Sequence, residues 1–420
     1  MRGPSRLSES ETGKVWLAQF RSEDDAKAAT KLLDAMLLLS DTDVADAIRD
    51  GINKLTEEWD GHRRSLALYA EREFDASMVF ESEDVADGKG VVRRRAVSYS
   101  GPVKPTRGKT RVGSEGNVAY LISQLVEKWP GLLKNHPGPN RIRSKSAPVG
   151  GVVIVTDLIG SGTRVNKMLD KFWRVPSVKS WVSGKWIEFI VVATAGTREG
   201  IATVRSHRLR PTVIAEYVVP TIGTWKDQTL AEEWLGLIAN YGPRHGRGGV
   251  VRSGYANGGA LVALSSRIPN NTPAIIHQSD GNNWRALYEG PAPADLRLAF
   301  RMLDPEEQAK AAGDAIGVEI AKDLDAQDSE LVVVLSVPAQ LLRRKDITGI
   351  AAITTLPRSA VERIVERALS GGLLTAAWRL TEAGQQILRA NRRGDRRRPT
   401  IATNTEPYYP QNLRVPRGQV

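Results

Sequence analysis

The chain has 420 residues, with 59 Lys and Arg against 48 Asp and Glu, 41% hydrophobic residues and no cysteine. That length gives room for two or three domains with real cores, and the lack of cysteine excludes thiol nucleophiles, thiolate metal sites and disulfides. The formal charge of +11 is unevenly spread: residues 1–90 carry 12 basic and 20 acidic side chains, residues 341–420 carry 15 and 6. A basic end of this kind suits a polyanion, nucleic acid first, or is a solvated tail. The opening Met-Arg-Gly-Pro-Ser-Arg-Leu-Ser has no apolar core, so no signal peptide is predicted. The longest apolar run, Leu331 to Leu342, is broken by Ser336 and Pro338; no membrane span is predicted, and a cytoplasmic location is expected. The five histidines show no metal-ligand spacing, which predicts no protein-held metal.

Residues 1–83 read as a helical layer with an acidic outer surface. Ser22 caps a helix with Ala29, Leu32, Leu33 and Met36 in an apolar stripe, and Ser40 or Thr42 caps the next, with Val44, Ile48, Ile52 and Leu55 on one face. Residues 84–113 read as an exposed basic loop. Arg93, Arg94, Arg95, Lys104, Arg107, Lys109 and Arg111 run without an acidic residue among Gly and Pro, to contact phosphates or to be solvated.

From 114 to 291 the pattern is α/β. Gly113-Ser114-Glu115-Gly116 precedes a helix capped by Ser114, carrying Val118, Leu121, Ile122, Leu125 and Val126. Val152 to Thr156 is a buried strand, Ile187 to Thr194 a second, Thr212 to Val219 a third and Ala260 to Leu264 a last core strand. Strands alternating with helices predict a mainly parallel sheet with ligands at its carboxyl edge. Thr156 and Asp157, Thr194 to Thr197 with Gly196, and Asn270, Asn271 and Thr272 are predicted to converge there. The Asn pair equally suits a turn.

The densest signal is Val152 to Thr163. Four branched apolar residues end in Thr156-Asp157; Gly160, Ser161 and Gly162 follow, then Val165, Met168, Leu169 and Phe172 recur at helical spacing. Strand, small-residue loop and helix make a phosphate cradle, in which glycines admit the backbone and amides at the helix start face the anion. The Lys of a Walker A loop is missing, which excludes a nucleotide-hydrolase P-loop. The same pattern also serves as a βα turn whose glycines only permit close strand–helix packing.

Residues 292–327 read as a charged helical connector. Residues 328–391 read as a winged helix-turn-helix: a short helix from Asp346 to Ala352, a longer one from Arg358 to Ser370, a two-stranded wing over Gly371 to Leu380 and a closing helix from Thr381. Arg358, Arg363 and Arg367 are predicted on the outward face of the recognition helix, with Arg379 on the wing, to contact nucleic acid. Such modules also dock proteins. Residues 392–420 form a basic tail that ends in a Tyr408-Tyr409-Pro410 segment.

The loop resembles the ribose-phosphate signature of type I phosphoribosyltransferases: four hydrophobics, two acids, three variable residues, then Ser/Thr-Gly. The resemblance implies that Asp157, the second acid, holds ribose hydroxyls and that Gly160, Ser161, Gly162 and Thr163 wrap the 5′-phosphate. Thr156 stands where the first acid is usual, and Arg164 where a Thr usually closes the loop. Ser114, Glu115, Thr194, Gly196 and the Asn270–Thr272 turn are the outer pocket in this reading, and Mg²⁺ with phosphoribosyl pyrophosphate is the implied cofactor. Most of the chain is similar to the phosphoribosyltransferase-like proteins of bacterial conflict systems, in particular the effector subunits encoded beside retron reverse transcriptases. The similarity rests on Gly-Ser-Glu-Gly, Asp-x-Ile-Gly-Ser-Gly-Thr, Pro-Asn-Asn-Thr-Pro at 269–273, Trp284, the winged helix and the Tyr-Tyr-Pro tail. It implies a toxin-like antiphage effector restrained by a reverse transcriptase with its multicopy RNA–DNA product. The alternative is a non-catalytic nucleotide-sensing transcriptional regulator.

Overall fold

The computed structural model describes residues 6–59, 64–72, 79–86, 88, 90–99, 114–144, 148–243, 252–281, 283–300, 305–321 and 324–393. Two compact units divide the chain, one of residues 1–304 with 351–359, the other of 305–350 with 360–420.

The first unit is built on a five-stranded parallel sheet. Its strands are β2 (Ser65–Ala70), β5 (Leu133–Asn135), β6 (Val149–Ile159), β7 (Glu188–Thr197) and β8 (Thr212–Val219), in the order β5-β2-β6-β7-β8. The central strands are apolar along their length because helices cover both faces. Ala67, Tyr69, Val152, Ile154, Val191 and Ala193 pack on one side with Val165, Met168, Leu169 and Phe172 of helix Thr163–Trp173. Leu66, Leu68, Val153, Val155, Ile190 and Val192 pack on the other with helices Asp41–Glu58 and Ser114–Lys128.

Local chemistry fixes the helix starts. Ser22 accepts from Asp25 N at 3.1 Å, Asp227 from Leu230 N at 3.1 Å, and Ser40 with Asp43 forms a capping box.

Three expectations are corrected. Residues 1–83 are not a purely helical layer: β1 (Leu37–Leu39), β2 and the start of β3 (Phe80–Ala86) lie there, and β2 joins the main sheet. The run Leu66-Ala67-Leu68-Tyr69-Ala70 is too short to show a period, so it hides as easily in a helix as in a strand. Residues 84–113 are not one loop, because β4 (Val92–Tyr99) pairs antiparallel with β3 and sets Arg94 opposite Asp84 and Arg95 opposite Glu83. The backbone ladder of β3 and β4 replaces the expected loop over residues 92–99. Lys104, Arg107, Lys109 and Arg111 lie outside the described residues. Finally, β9 (Val262–Leu264) does not extend the main sheet; it pairs in parallel with β1.

The second unit is helical. Helix Pro305–Ile316 packs on helix Ala326–Leu335, so the second half of the predicted connector belongs to this unit. Leu331 to Leu335 are all buried, which makes the second half of that helix apolar on every side. Ala339–Arg343, Ile347–Thr354, Arg358–Ser370 and Glu382–Arg393 follow. The predicted wing is minimal, one bridge between Leu374 and Leu380 closed by Thr375 N donating to Arg379 O at 2.9 Å. Thr381 then accepts from Gly384 N at 3.2 Å and caps the last helix. A Cβ at Gly384 would lie 2.5 Å from Leu373 O, which accounts for glycine in Leu-Thr-Glu-Ala-Gly.

Candidate ribose-phosphate site

Strand β6 runs past Thr156 and Asp157 to Ile159, further than its sequence suggests, and delivers the loop at the carboxyl edge of the sheet. Gly162 caps helix Thr163–Trp173 in a left-handed conformation, φ +77°, which only glycine adopts without strain. Ser161 Oγ donates to Thr163 Oγ1 at 2.9 Å, so both hydroxyls gather at the helix start. The N–H groups of that first turn have no partner within the helix. These are the groups of the loop that could take an anion.

The loop is clamped from two directions. Thr197, which ends β7, donates its hydroxyl to Gly160 O at 2.7 Å and accepts from Gly200 N at 2.9 Å. A Cβ at Gly200 would lie 2.0 Å from Gly160 O, and one at Gly160 would lie 2.0 Å from Asn271 Oδ1. The Asn270–Thr272 turn therefore does reach the loop, through Asn271. Asn270 is exposed, and Thr272 is buried with its hydroxyl donating to Val262 O at 2.9 Å, so it staples its own turn.

Thr194 does not face the loop. Its hydroxyl donates to Val44 O at 3.1 Å, because alternation along β7 turns it under helix Asp41–Glu58 with Val192. Gly196 is buried, with room for no Cβ beside Ile201. Ser114 is the first residue of helix Ser114–Lys128, and its side chain lies outside the described residues.

The charged groups form three ion pairs, two of them on Arg164. Asp157 Oδ2 lies 2.7 Å from Arg267 Nη2, and the Asp157 side chain is 7% exposed against 36% for Arg267. Arg164 Nη2 lies 3.0 Å from Glu71 Oε2 and 3.2 Å from Glu115 Oε1, with side-chain exposures of 40%, 4% and 31%. Thr156 Oγ1 lies 3.5 Å from the same Glu71 oxygen. Glu71 stands there because the β2–β6 ladder runs one step beyond Ala70: Glu71 N donates to Val155 O at 2.8 Å.

Sequence reasoning missed both Glu71 and Arg267. Glu71 had a signal, an acid closing a five-residue apolar run as Asp157 closes β6. Arg267 had none, since it is set by the turn in which Leu264 and Arg267 exchange backbone hydrogen bonds.

Behind Glu71 lies an aromatic wall of Tyr69, Tyr99, Phe172 and His136. His136 Nε2 accepts from Ala70 N at 2.8 Å, and burial, with Arg72 adding to it, holds the imidazole down at about 4. Arg72 sits over the Tyr99 ring, 5.3 Å from its centroid, and burial pushes the Tyr99 phenol up to about 12.

Mg²⁺, the implied cofactor, fits these donors poorly. A hard divalent cation is held by one or two free carboxylates together with substrate phosphates. Here Glu71 and Asp157 each carry a guanidinium within 3.0 Å of one carboxylate oxygen. Among the described residues no three His, Asp or Glu side chains gather as a metal cage.

In the second unit, Arg363 and Arg379 are exposed; Arg358, which falls in the first, is half-buried. Arg367 departs from the outward-face expectation: its Nη2 lies 2.6 Å from Asp328 Oδ1 of helix Ala326–Leu335. No described helix is long and apolar enough to cross a membrane.

A model of the wHTH-PRTase associated family matches residues 332–415. No curated protein and no solved structure matches the chain. The sheet that carries Glu71 and Asp157, the loop between β6 and its helix, and the turn holding Arg267 and Asn271 all fall within residues 14–289, which the PRTase-CE family model matches. A match over more than half of the chain means that this protein belongs to the PRTase-CE family.

Proposed function

We propose that the chain is a toxin-like antiphage effector whose phosphoribosyltransferase-like site binds a ribose phosphate or a nucleotide. A retron reverse transcriptase and its multicopy RNA–DNA product hold it in check. The cradle at Gly160 to Thr163, with Asp157 one turn of chain before it, carries the ligand reading: loop amides and the Ser161 and Thr163 hydroxyls take the phosphate, and Asp157 takes ribose hydroxyls. Pairing of this domain with a winged helix-turn-helix module supports a nucleic-acid partner. Expressing the full chain alone, and then with its neighbouring genes, tests the effector role. Growth arrest by the chain alone, relieved by a reverse transcriptase that co-purifies with it, is the expected result. Equal growth and no complex on gel filtration would remove it.

One observation favours a second reading, a nucleotide-sensing regulator that does no chemistry. Thr156 replaces an acid, and both nearby carboxylates are held by arginines. A purine operon as gene neighbourhood, with no turnover of any ribose-phosphate substrate, supports that reading.

A further inference from the structure

We propose that this site takes a single-phosphate ribose ligand, of the nucleoside 5′-monophosphate class, without a divalent cation, and that Arg164 and Arg267 supply the positive charge a metal would bring. The proposal rests on the reading of Gly160 to Thr163 as a ribose-phosphate cradle. Three features carry it.

The cradle offers one helix start and the two hydroxyls of Ser161 and Thr163, donors for one phosphate. The carboxylates beside the loop are already engaged by arginines, Asp157 by Arg267 at 2.7 Å, and Glu71 and Glu115 together by Arg164 at 3.0 and 3.2 Å. A dication brought to those oxygens would meet two fixed like charges in a half-buried setting, where screening is weak. Both guanidiniums keep more than a third of their surface open, so each can turn toward an entering phosphate while it stays near its carboxylate. Arginine presents several N–H groups in a planar fork suited to phosphate oxygens.

The pairing also explains why Thr156 is tolerated. A hydroxyl there adds no further negative charge beside Glu71, Glu115 and Asp157, and it can still bond a ribose hydroxyl. Asp157 Oδ1 is left to the ribose, because Arg267 takes Oδ2.

The full-length chain is titrated by calorimetry with ribose 5-phosphate, with the four common nucleoside 5′-monophosphates and with phosphoribosyl pyrophosphate, each in EDTA and in excess Mg²⁺. At least one monophosphate is expected to bind with a Kd that changes less than twofold between the two buffers, and Mg²⁺ should not tighten the diphosphate. Binding that appears only with Mg²⁺, or tightens tenfold with it, overturns the proposal and leaves the cradle standing. Binding of no compound in either buffer overturns the cradle as well. A thermal melt with Mg²⁺ alone gives an independent arm. The cation should leave the native chain unshifted and stabilise Arg164→Gln/Arg267→Gln, whose carboxylates are freed. A shift of the native chain as large as that of the variant counts against the proposal.

Discussion

Glu71 and Arg164 lie 3.0 Å apart, and their ion pair joins the two positions at which the loop departs from the ribose-phosphate signature. Thr156 contacts the Glu71 carboxylate, and Arg164 neutralises it. The two departures are one compensated change. The first acid of the signature is absent from β6, an acid just past β2 stands beside its place, and the cation that pairs with it sits on the helix the loop begins.

Removing the cation should therefore cost more than removing both charges. Breaking a fully buried pair costs about 3–5 kcal/mol, and solvent at the half-exposed Arg164 reduces this. Arg164→Ala is expected to lose about 2 kcal/mol in denaturant unfolding. The double variant Glu71→Gln/Arg164→Ala should lose less than the two single losses added together. Strict additivity would mean that the pair is a surface contact with no coupling.

The loop's clamp makes a second expectation. Gly200→Ala forces a Cβ to within 2.0 Å of Gly160 O, a backbone atom that cannot rotate away. Overpacking of this kind costs about 1–3 kcal/mol, and here it also pushes the cradle out of shape. Gly223→Ala meets nothing within 4 Å and is the control. Calorimetric titration should show ribose-phosphate binding weakened in the first variant and unchanged in the second. Equal binding in both would detach the 198–205 helix from the site.

Much of this was legible beforehand. Thr212–Val219 and Arg358–Ser370 fall where their apolar spacing and flanking residues put them, and Val165, Met168, Leu169 and Phe172 are buried as their period requires. The loop was legible too, since a parallel sheet brings carboxyl ends together; Asn271 does approach it, but from a turn after β9, which pairs with β1 outside that sheet. What was not legible depends on register or on distant pairing. β2 is six residues long without a polar alternation, so Glu71 could not be placed beside Thr156. Thr194 looked like an edge residue, yet the two-residue repeat of β7 turns it inward. Arg267 and Arg367 each face an acid more than thirty residues away in sequence, Asp157 and Asp328, and no local pattern encodes that.

Acid should loosen the wall behind Glu71. His136 is held at about 4 against 6.5 in the unfolded chain, and its Nε2 accepts from Ala70 N. Because the folded value is depressed, the unfolded state binds the extra proton between these values. The contribution is complete above pH 6.5 and is lost as pH falls toward 4. Full loss amounts to about 3 kcal/mol by proton linkage. A melting series from pH 7.5 to 4.5 should show this slope, and His136→Gln should flatten it. An unchanged slope in the variant would assign the acid sensitivity elsewhere.

In the winged helix, Arg363 and Arg379 are exposed whereas Arg367 is tied to Asp328. Arg363→Ala/Arg379→Ala should weaken nucleic-acid binding and reduce the magnitude of its salt slope by roughly one to two. Arg367→Ala should chiefly lower stability, by leaving Asp328 unpaired. Fluorescence anisotropy across a salt series, beside a melt of each variant, separates the two. The reverse ranking would move the contact surface to the Arg367 side of the helix.

Asp157→Asn keeps the size of the side chain and removes the charge that the cradle reading assigns to ribose hydroxyls. Calorimetric titration of the native chain and of this variant with ribose 5-phosphate and the nucleoside monophosphates decides the matter, with a melt of each to confirm that the fold is kept. The native chain should bind at least one of these ligands, and the variant should bind it at least tenfold more weakly, a loss of about 1.4 kcal/mol. Equal affinity in a folded variant, or no binding by the native chain, would contradict a ribose-phosphate site at Asp157.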